Sequence, residues 1–449
     1  LNFIDASRAL IGFDSTPESG TLRLVEWLKT YCLEKGLAVE VYTEPLSDQQ
    51  QANIIIRPSA ESPPVEFMLQ THLDTADPGP YGLWEKTGHN PFDGTIIDGK
   101  IYGLGSADVK LDILCKIEAL AKACERGRQF KLPPVVVGTF GEEIGMQGSL
   151  RLIRKHLVRP KMALIGEPSD LKLIYAGKGL AEVEIRIPFS KQEKTYRIEH
   201  NLNELTSSQS RIFSGRAAHS SAPHLGDSAI RKMFDYISQL PAQVVVMSID
   251  GGVNFNSIPA QAFLEIDPNS AIQNPMAQKL QHLHRVLKDL ELRFLGYKDE
   301  QFYPPYPTLN IGRIRCDDDE VVLHGACRLP PIVTNDVYES WMKYLKQQCD
   351  VIEARFKVLD YKRPFKTETN SVFVRGCLQE LGALNLSQDC VTQSSTNEAS
   401  LWSRIGVECL AFGPGKRDQN IHTPTENVDI EDLRKATEFY AKVIERFCR

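Results

Sequence analysis

Residues 135–143 read Val135-Val136-Val137-Gly138-Thr139-Phe140-Gly141-Glu142-Glu143, an apolar run that ends in two adjacent carboxylates. A short, β-branched apolar run bounded by glycine predicts a buried strand. Neighbouring like charges repel, and a strand leaving a core has no packing reason to end in two of them, so a positive partner is expected there. The pattern recurs. Phe67-Met68-Leu69-Gln70-Thr71 runs into His72-Leu73-Asp74, and Met162-Ala163-Leu164-Ile165-Gly166 runs into Glu167. Three apolar strands thus end in side chains able to ligate a metal.

Helical periodicity fills the gaps between them. Leu111, Leu114, Ile117, Leu120 and Ala121 share one face of a helix predicted over residues 110–126, and a second helix is predicted over about 148–157. Upstream, residues 6–37 predict two helices with a turn at Thr16-Pro17-Glu18-Ser19-Gly20, followed by strands at 38–42 and 53–57. Strands alternating with helices give an α/β fold, a mainly parallel sheet with helices on both faces. The character changes after Gly177-Lys178-Gly179. Residues 180–187 alternate as a half-buried strand, the polar stretch 190–210 reads as an inserted hairpin or loop, and helix 228–240, strand 244–248 and helix 276–294 predict a smaller α+β unit. After about Pro364 the first pattern resumes, with helix 371–381, strand 407–412 and helix 430–447. The expected organisation is a discontinuous catalytic domain, 1–179 with 365–449, and an inserted domain, 180–364.

Composition excludes several classes. With 449 residues, 42% hydrophobic and 24% charged, the chain reads as globular, and no apolar stretch is long enough to span a bilayer. The 52 basic and 58 acidic residues leave a net charge of −6 without a Lys/Arg run, so neither nucleic acid nor membrane is an expected partner. The first residues lack the basic and apolar regions of a secretory signal. Ten cysteines without a Cys-x-x-Cys pair argue against a thiolate zinc site and for reduced thiols in the cytoplasm.

Ligands of open α/β sheets bind outside the carboxyl ends of the strands, where this reading places His72, Glu142, Glu143 and Glu167. Asp108 joins them from the turn Tyr102-Gly103-Leu104-Gly105-Ser106-Ala107, and His422 follows the last strand through Gly413-Pro414-Gly415. Singly, Asp108 reads as a helix N-cap, His422 as a turn residue and Glu143 as a solvated charge. Together, two imidazoles and several carboxylates suit two zinc ions with a position open for water.

The ordered motifs His72-x-Asp74, Gly105-Ser106-Ala107-Asp108-Val109-Lys110, Gly141-Glu142-Glu143, Gly166-Glu167-Pro168 and His422-Thr423-Pro424-x-Glu426 resemble the M20 metallopeptidase family, in its acetylornithine deacetylase and succinyl-diaminopimelate desuccinylase branch. The resemblance implies a di-zinc exopeptidase-like catalytic domain with an inserted lid and dimerisation domain. It also implies that His72 and Glu167 hold one metal ion, Glu143 and His422 the other, and Asp108 bridges them. Zinc is the expected metal, with cobalt or manganese as alternatives. Asp74 would orient His72, and Glu142 would be the general base toward a metal-bridging hydroxide. His219, within Gly215-Arg216-Ala217-Ala218-His219-Ser220, would stabilise the oxyanion in the partner subunit of a homodimer.

This chain departs from the family pattern in places. Asp108-Val109-Lys110-Leu111 lacks the usual glycine, and Ser394-Ser395-Thr396-Asn397-Glu398-Ala399 replaces a Gly-Gly-Thr-Asp-Ala segment. The strand Phe263-Leu264-Glu265-Ile266-Asp267 lacks the usual terminal arginine, which makes Arg328 the candidate for gripping a substrate carboxylate, assisted by Asn256, with Asn397 near the pocket. The leading expectation is hydrolysis of a small N-acyl amino acid. A dipeptidase or carboxypeptidase of the same superfamily, and a non-catalytic binding protein, are the competing readings.

Overall fold

Strand Glu66–His72 runs parallel to Pro134–Thr139 on one side and to Pro160–Gly166 on the other, and Glu408–Phe412 extends the parallel set beyond Pro160–Gly166. This computed structural model describes residues 1–449 except 47, 48, 62, 128, 202–207, 242, 243, 269–271, 273 and 274. The register places His72 opposite Thr139 and Phe412 opposite Gly166, so the strands end at a common edge. Antiparallel Gln49–Arg57 and Ala38–Leu46 extend one side of the nine-stranded sheet. The other side carries Leu173–Gly177 and Phe365–Lys366.

Continuous rather than alternating hydrophobicity in these strands follows from burial on both faces. Met68, Val135, Val137, Ala163 and Ile165 pack with Leu152, Ala399 and Trp402. On the opposite face, helix Lys110–Glu125 lies on Glu66–His72 and Pro134–Thr139, and Phe67 meets the rings of Phe373 and Phe447. Each fully buried large apolar side chain contributes about 1.5–3 kcal/mol. The expected α/β architecture with helices on both faces is what the chain adopts.

By compactness the chain forms two units. The first comprises Leu1–Ala176, Phe365–Thr392 and Asn397–Arg449, and the second comprises Gly177–Pro364 and Gln393–Thr396. The second unit holds a seven-stranded antiparallel sheet. Its strand Gly179–Pro188 alternates strictly, turning Ala181, Val183, Ile185 and Ile187 into a core shared with helices Ala229–Ile237, Met276–Phe294 and Asn335–Val351. One face is thereby covered by helices, as expected for an α+β unit.

One local expectation fails. The stretch read as a hairpin or loop over 190–210 contains a helix, Lys191–Asn201, before strand Gln209–Ser214, while 202–207 lie outside the described residues. The helix begins with a capping box: Ser190 Oγ accepts the Glu193 N–H at 3.1 Å, and Glu193 Oε2 accepts the Ser190 N–H at 3.1 Å. Sparse apolar residues concealed it, although the Ser-x-x-Glu signal stands in the sequence. Elsewhere the elements fall within a few residues of their expected limits. Strand Val245–Gly252, expected to stop at 248, is the longest extension in the second unit.

All ten cysteines are free thiols, and seven are buried. Among the described residues no helix is long and apolar enough to cross a membrane.

Candidate active site

The shared sheet edge assembles residues far apart in sequence. His72 is the last residue of its strand and is 2% exposed. Glu142 and Glu143 follow Pro134–Thr139 through Gly141, whose φ of 68° turns the chain where a side chain would be strained. Glu167 follows Pro160–Gly166 directly and is buried. Asp108 precedes helix Lys110–Glu125, and His422 lies in the loop beyond Glu408–Phe412.

Their geometry is tight. His72 Nε2 lies 3.2 Å from Asp108 Oδ1, while His422 Nε2 lies 3.3 Å from Asp108 Oδ2 and 3.1 Å from Glu143 Oε1. Asp108 therefore stands between the two imidazoles. Asp74 has two attachments. Its backbone carbonyl meets His72 Nδ1 at 3.0 Å, and its carboxylate accepts the N–H groups of Glu142 and Glu143 at 3.1 and 3.0 Å. One residue thus orients the imidazole through its main chain and fixes the diglutamate turn through its side chain.

Crowded charge shifts the proton affinities. Burial pushes the Glu142 carboxyl well above the usual carboxylate range; His72 opposes this, and the charges of Glu143, Glu167 and Glu398 add to it. Burial also raises Asp74 to about 6, against the pull of His72. Burial alone would raise Asp108, but hydrogen bonds to His422 and His72 hold it well below the usual range. For His422 burial works downward, yet Glu143 and Asp108 lift it to about 11. Imidazole nitrogens and carboxylate oxygens meet here at 3.1–3.3 Å, an arrangement that a cation between them would also satisfy. Ligand atoms of Asp108, Glu143 and His422 all lie within 4.8 Å of one another, and oxygen and imidazole donors without thiolate fit a divalent metal ion.

Other predicted residues belong to the second unit. His219 Nε2 lies 3.0 Å from Asn256 Nδ2, and its Nδ1 lies 2.6 Å from Ser221 Oγ. Arg328 is buried, donating to Asn256 Oδ1 at 2.6 Å and Thr396 Oγ1 at 3.0 Å. Asn256 therefore joins His219 and Arg328 in one cluster. Asn397, in the first unit, is fully buried and its Oδ1 accepts the Ala399 N–H at 2.9 Å, stabilising the start of helix Ala399–Ser403.

Some contributors went unassigned from sequence. Arg417 Nη1 reaches Glu167 Oε2 at 3.4 Å; the signal was a basic residue in the loop between Gly415 and His422. Glu426 Oε1 accepts the N–H groups of Ala107 and Asp108 at 2.9 and 3.0 Å, fixing the Asp108 turn. Burial and the Asp108 charge push that carboxyl up to about 7. Glu398 is buried and accepts from Thr139 Oγ1 and Ser149 Oγ beneath the diglutamate turn.

Comparison with known proteins places the chain in a family. The profile of Peptidase family M20/M25/M40 matches residues 68–446. An acetylornithine deacetylase of Myxococcus xanthus is 28% identical over 78% of this chain and 73% of its own length. Among solved structures, an M20 family metallo-carboxypeptidase from Sulfolobus solfataricus superposes with a TM-score of 0.65 at 15% identity, covering 100% of this chain and 99% of that one. Aminoacylhistidine dipeptidase from Vibrio alginolyticus gives 0.62 at 15% identity, covering 99% and 95%. At such identities the structural likeness concerns the fold.

Proposed function

This chain belongs to Peptidase family M20/M25/M40 and is a metal-dependent amidohydrolase, and from that premise we propose that it removes the acyl group of a small N-acyl amino acid. The observation carrying the proposal is the edge cluster itself: Asp108 set between two imidazoles, with Glu143 on one of them and Glu142 next to Glu143 in the same turn. The resemblance to acetylornithine deacetylases supports a linear amide as substrate.

In this reading His72, Glu167, Glu143, His422 and Asp108 would hold the metal ions. When bound, such ions polarise a carbonyl oxygen and make water acidic enough to attack it near neutral pH. Zinc suits this donor set, with cobalt or manganese as substitutes. Glu142 takes a proton at its carboxylate and later delivers it to the nitrogen of the departing amine. A carboxylate on the turn beside the edge cluster is placed for both halves of that task. Asp74 keeps Glu142 in place through the two backbone N–H groups.

His219 is the proposed oxyanion donor, and Arg328 with Asn256 the proposed carboxylate grip. The same proposal includes a homodimer, a lid and dimerisation role for the inserted unit, and a reducing, cytoplasmic setting suited to ten free thiols. Arg328 already has Asn256 Oδ1 and Thr396 Oγ1 as acceptors, so a substrate carboxylate would share or replace them.

The test is a panel of N-acetyl amino acids and dipeptides, offered to chelated protein resupplied with zinc, cobalt or manganese. Cleavage of an N-acyl amino acid in preference to dipeptides is expected, and a clear preference for dipeptides would replace this reading with the peptidase one. Light scattering on the purified protein checks the dimer.

A further inference from the structure

One residue back from the metal-site edge, Asp112 and Lys116 face each other inside the first unit. Both side chains are 0% exposed, and Lys116 Nζ lies 2.6 Å from Asp112 Oδ2. They sit one turn apart on helix Lys110–Glu125, among Leu111, Ile113, Leu114 and Ile117. A pair so fully dehydrated gives little net stability, and apolar replacements of similar volume are often neutral or stabilising. Its value has to be sought in what it touches.

It touches the residues that immediately precede two of the five proposed ligands, and through Tyr440 it reaches the strand end that leads toward a third. Lys116 Nζ donates to the Gln70 carbonyl at 2.5 Å and to Thr71 Oγ1 at 2.9 Å, and Thr71 Oγ1 donates to Asp112 Oδ2 at 2.7 Å. Thr71 immediately precedes His72. Gly166 immediately precedes Glu167, and its Cα lies so close to the pair that a Cβ there would run into Asp112 Oδ2 and come within 2.9 Å of Lys116 Nζ. The Tyr440 hydroxyl donates to Asp112 Oδ1 at 2.5 Å and lies 3.1 Å from the carbonyl of Phe412, the residue that opens the loop to His422.

We propose that Asp112, Lys116 and Tyr440 form the positioning unit of the metal site, fixing from beneath the strand ends that carry His72 and Glu167 and the strand end from which the chain runs on toward His422. Lys116 spends three donor directions on three acceptors, and the Asp112 carboxylate receives three donors, so the unit is closed and directional. An apolar filling of the same volume would keep the helix against the sheet without dictating where those strand ends stop. The inference rests on the metal reading of the preceding section, because positioning matters only if these residues ligate.

The experiment titrates chelated wild-type protein and the double variant Asp112→Leu/Lys116→Met with zinc chloride against a competing chelator, and records the melting of each metal-free protein. Expected are two ions on the wild type, metal-free melting of the double variant close to wild type, and zinc affinity weakened about 10–100-fold, as for other groups that orient metal ligands. Two ions bound by the double variant with wild-type affinity would overturn the proposal. If the double variant does not fold, Tyr440→Phe decides instead: it removes one hydroxyl, and unchanged zinc affinity overturns the proposal while a several-fold loss at unchanged melting supports it. A wild-type protein that takes up no zinc sinks the metal reading itself, a result distinct from the variant comparison.

Discussion

Two sets of charge, one at the edge of the sheet and one on the helix packed just beneath it, are built on opposite rules. At the edge, Asp108, Glu143 and Glu167 crowd beside Glu142 with His72, His422 and Arg417 as the positive partners in reach. Just beneath, Asp112 and Lys116 answer each other with one charge apiece. Taking a charge out of water is tolerable only when something nearby compensates it. The lower pair is compensated within the protein, so it can act as a fixed base. The edge cluster leans on protonated imidazoles and has the donors to exchange those protons for metal ions. A third arrangement is found in the second unit, where Arg328 donates to the oxygens of Asn256 and Thr396.

The contrast can be broken most forcefully at Glu142. Glu142→Gln keeps shape and removes the titrating carboxyl, so turnover falls about 10²–10⁴-fold. Metal content by elemental analysis stays at the wild-type level. Undiminished turnover would remove Glu142 from the proposed chemistry.

Lys116→Met attacks the lower layer. It leaves Asp112 buried without its cation and costs about 3–5 kcal/mol of stability, read from denaturant unfolding. The accompanying Asp112→Leu change should recover most of that loss. A single variant as stable as wild type would mean that the pair is not the closed unit described here.

Proton binding sharpens the difference between the layers. In metal-free protein His422 sits near 11, above the ordinary 6.5 of an unfolded histidine, and Glu142 and His72 are shifted in the same direction. A group raised in the folded state stabilises fully below its unfolded value and loses that contribution as pH climbs toward the folded one. Melting of chelated protein should therefore fall as pH rises from about 6.5 toward 11. Zinc-loaded protein should show less of this fall, because metal replaces the protons on both imidazoles.

The smallest effect is expected at the rim. Arg417→Ala removes a partly exposed partner of Glu167 and should change stability by less than about 1 kcal/mol. A large drop in zinc affinity in this variant would give Arg417 a part in holding Glu167.

Much of the framework was legible residue by residue. Val135 to Val137, Phe67 to Leu69 and Ala163 to Ile165 announce buried strands because continuous hydrophobicity is what a sheet covered on both faces requires. His72, Glu143 and Glu167 drew notice as polar groups at the ends of such strands. The helix at Lys191–Asn201 was missed because its stability comes from the Ser190–Glu193 capping box and not from an apolar stripe. Asn397, expected near the pocket, is buried and accepts the Ala399 N–H at the start of helix Ala399–Ser403. A short polar side chain caps a helix or faces a ligand with the same sequence signature.

Taken alone, the amino-acid sequence determined the alternation of strands and helices and the set of residues with metal-binding chemistry, since both are local properties of side chains. Tertiary structure decided who meets whom. It set Asp108 between His72 and His422, gave the Asp74 carboxylate to the backbone of Glu142 and Glu143, and brought Tyr440 onto Asp112 across 328 positions of chain. Those pairings depend on strand order and register. Register is a collective outcome of packing both faces of the sheet at once, and no single stretch of residues encodes it.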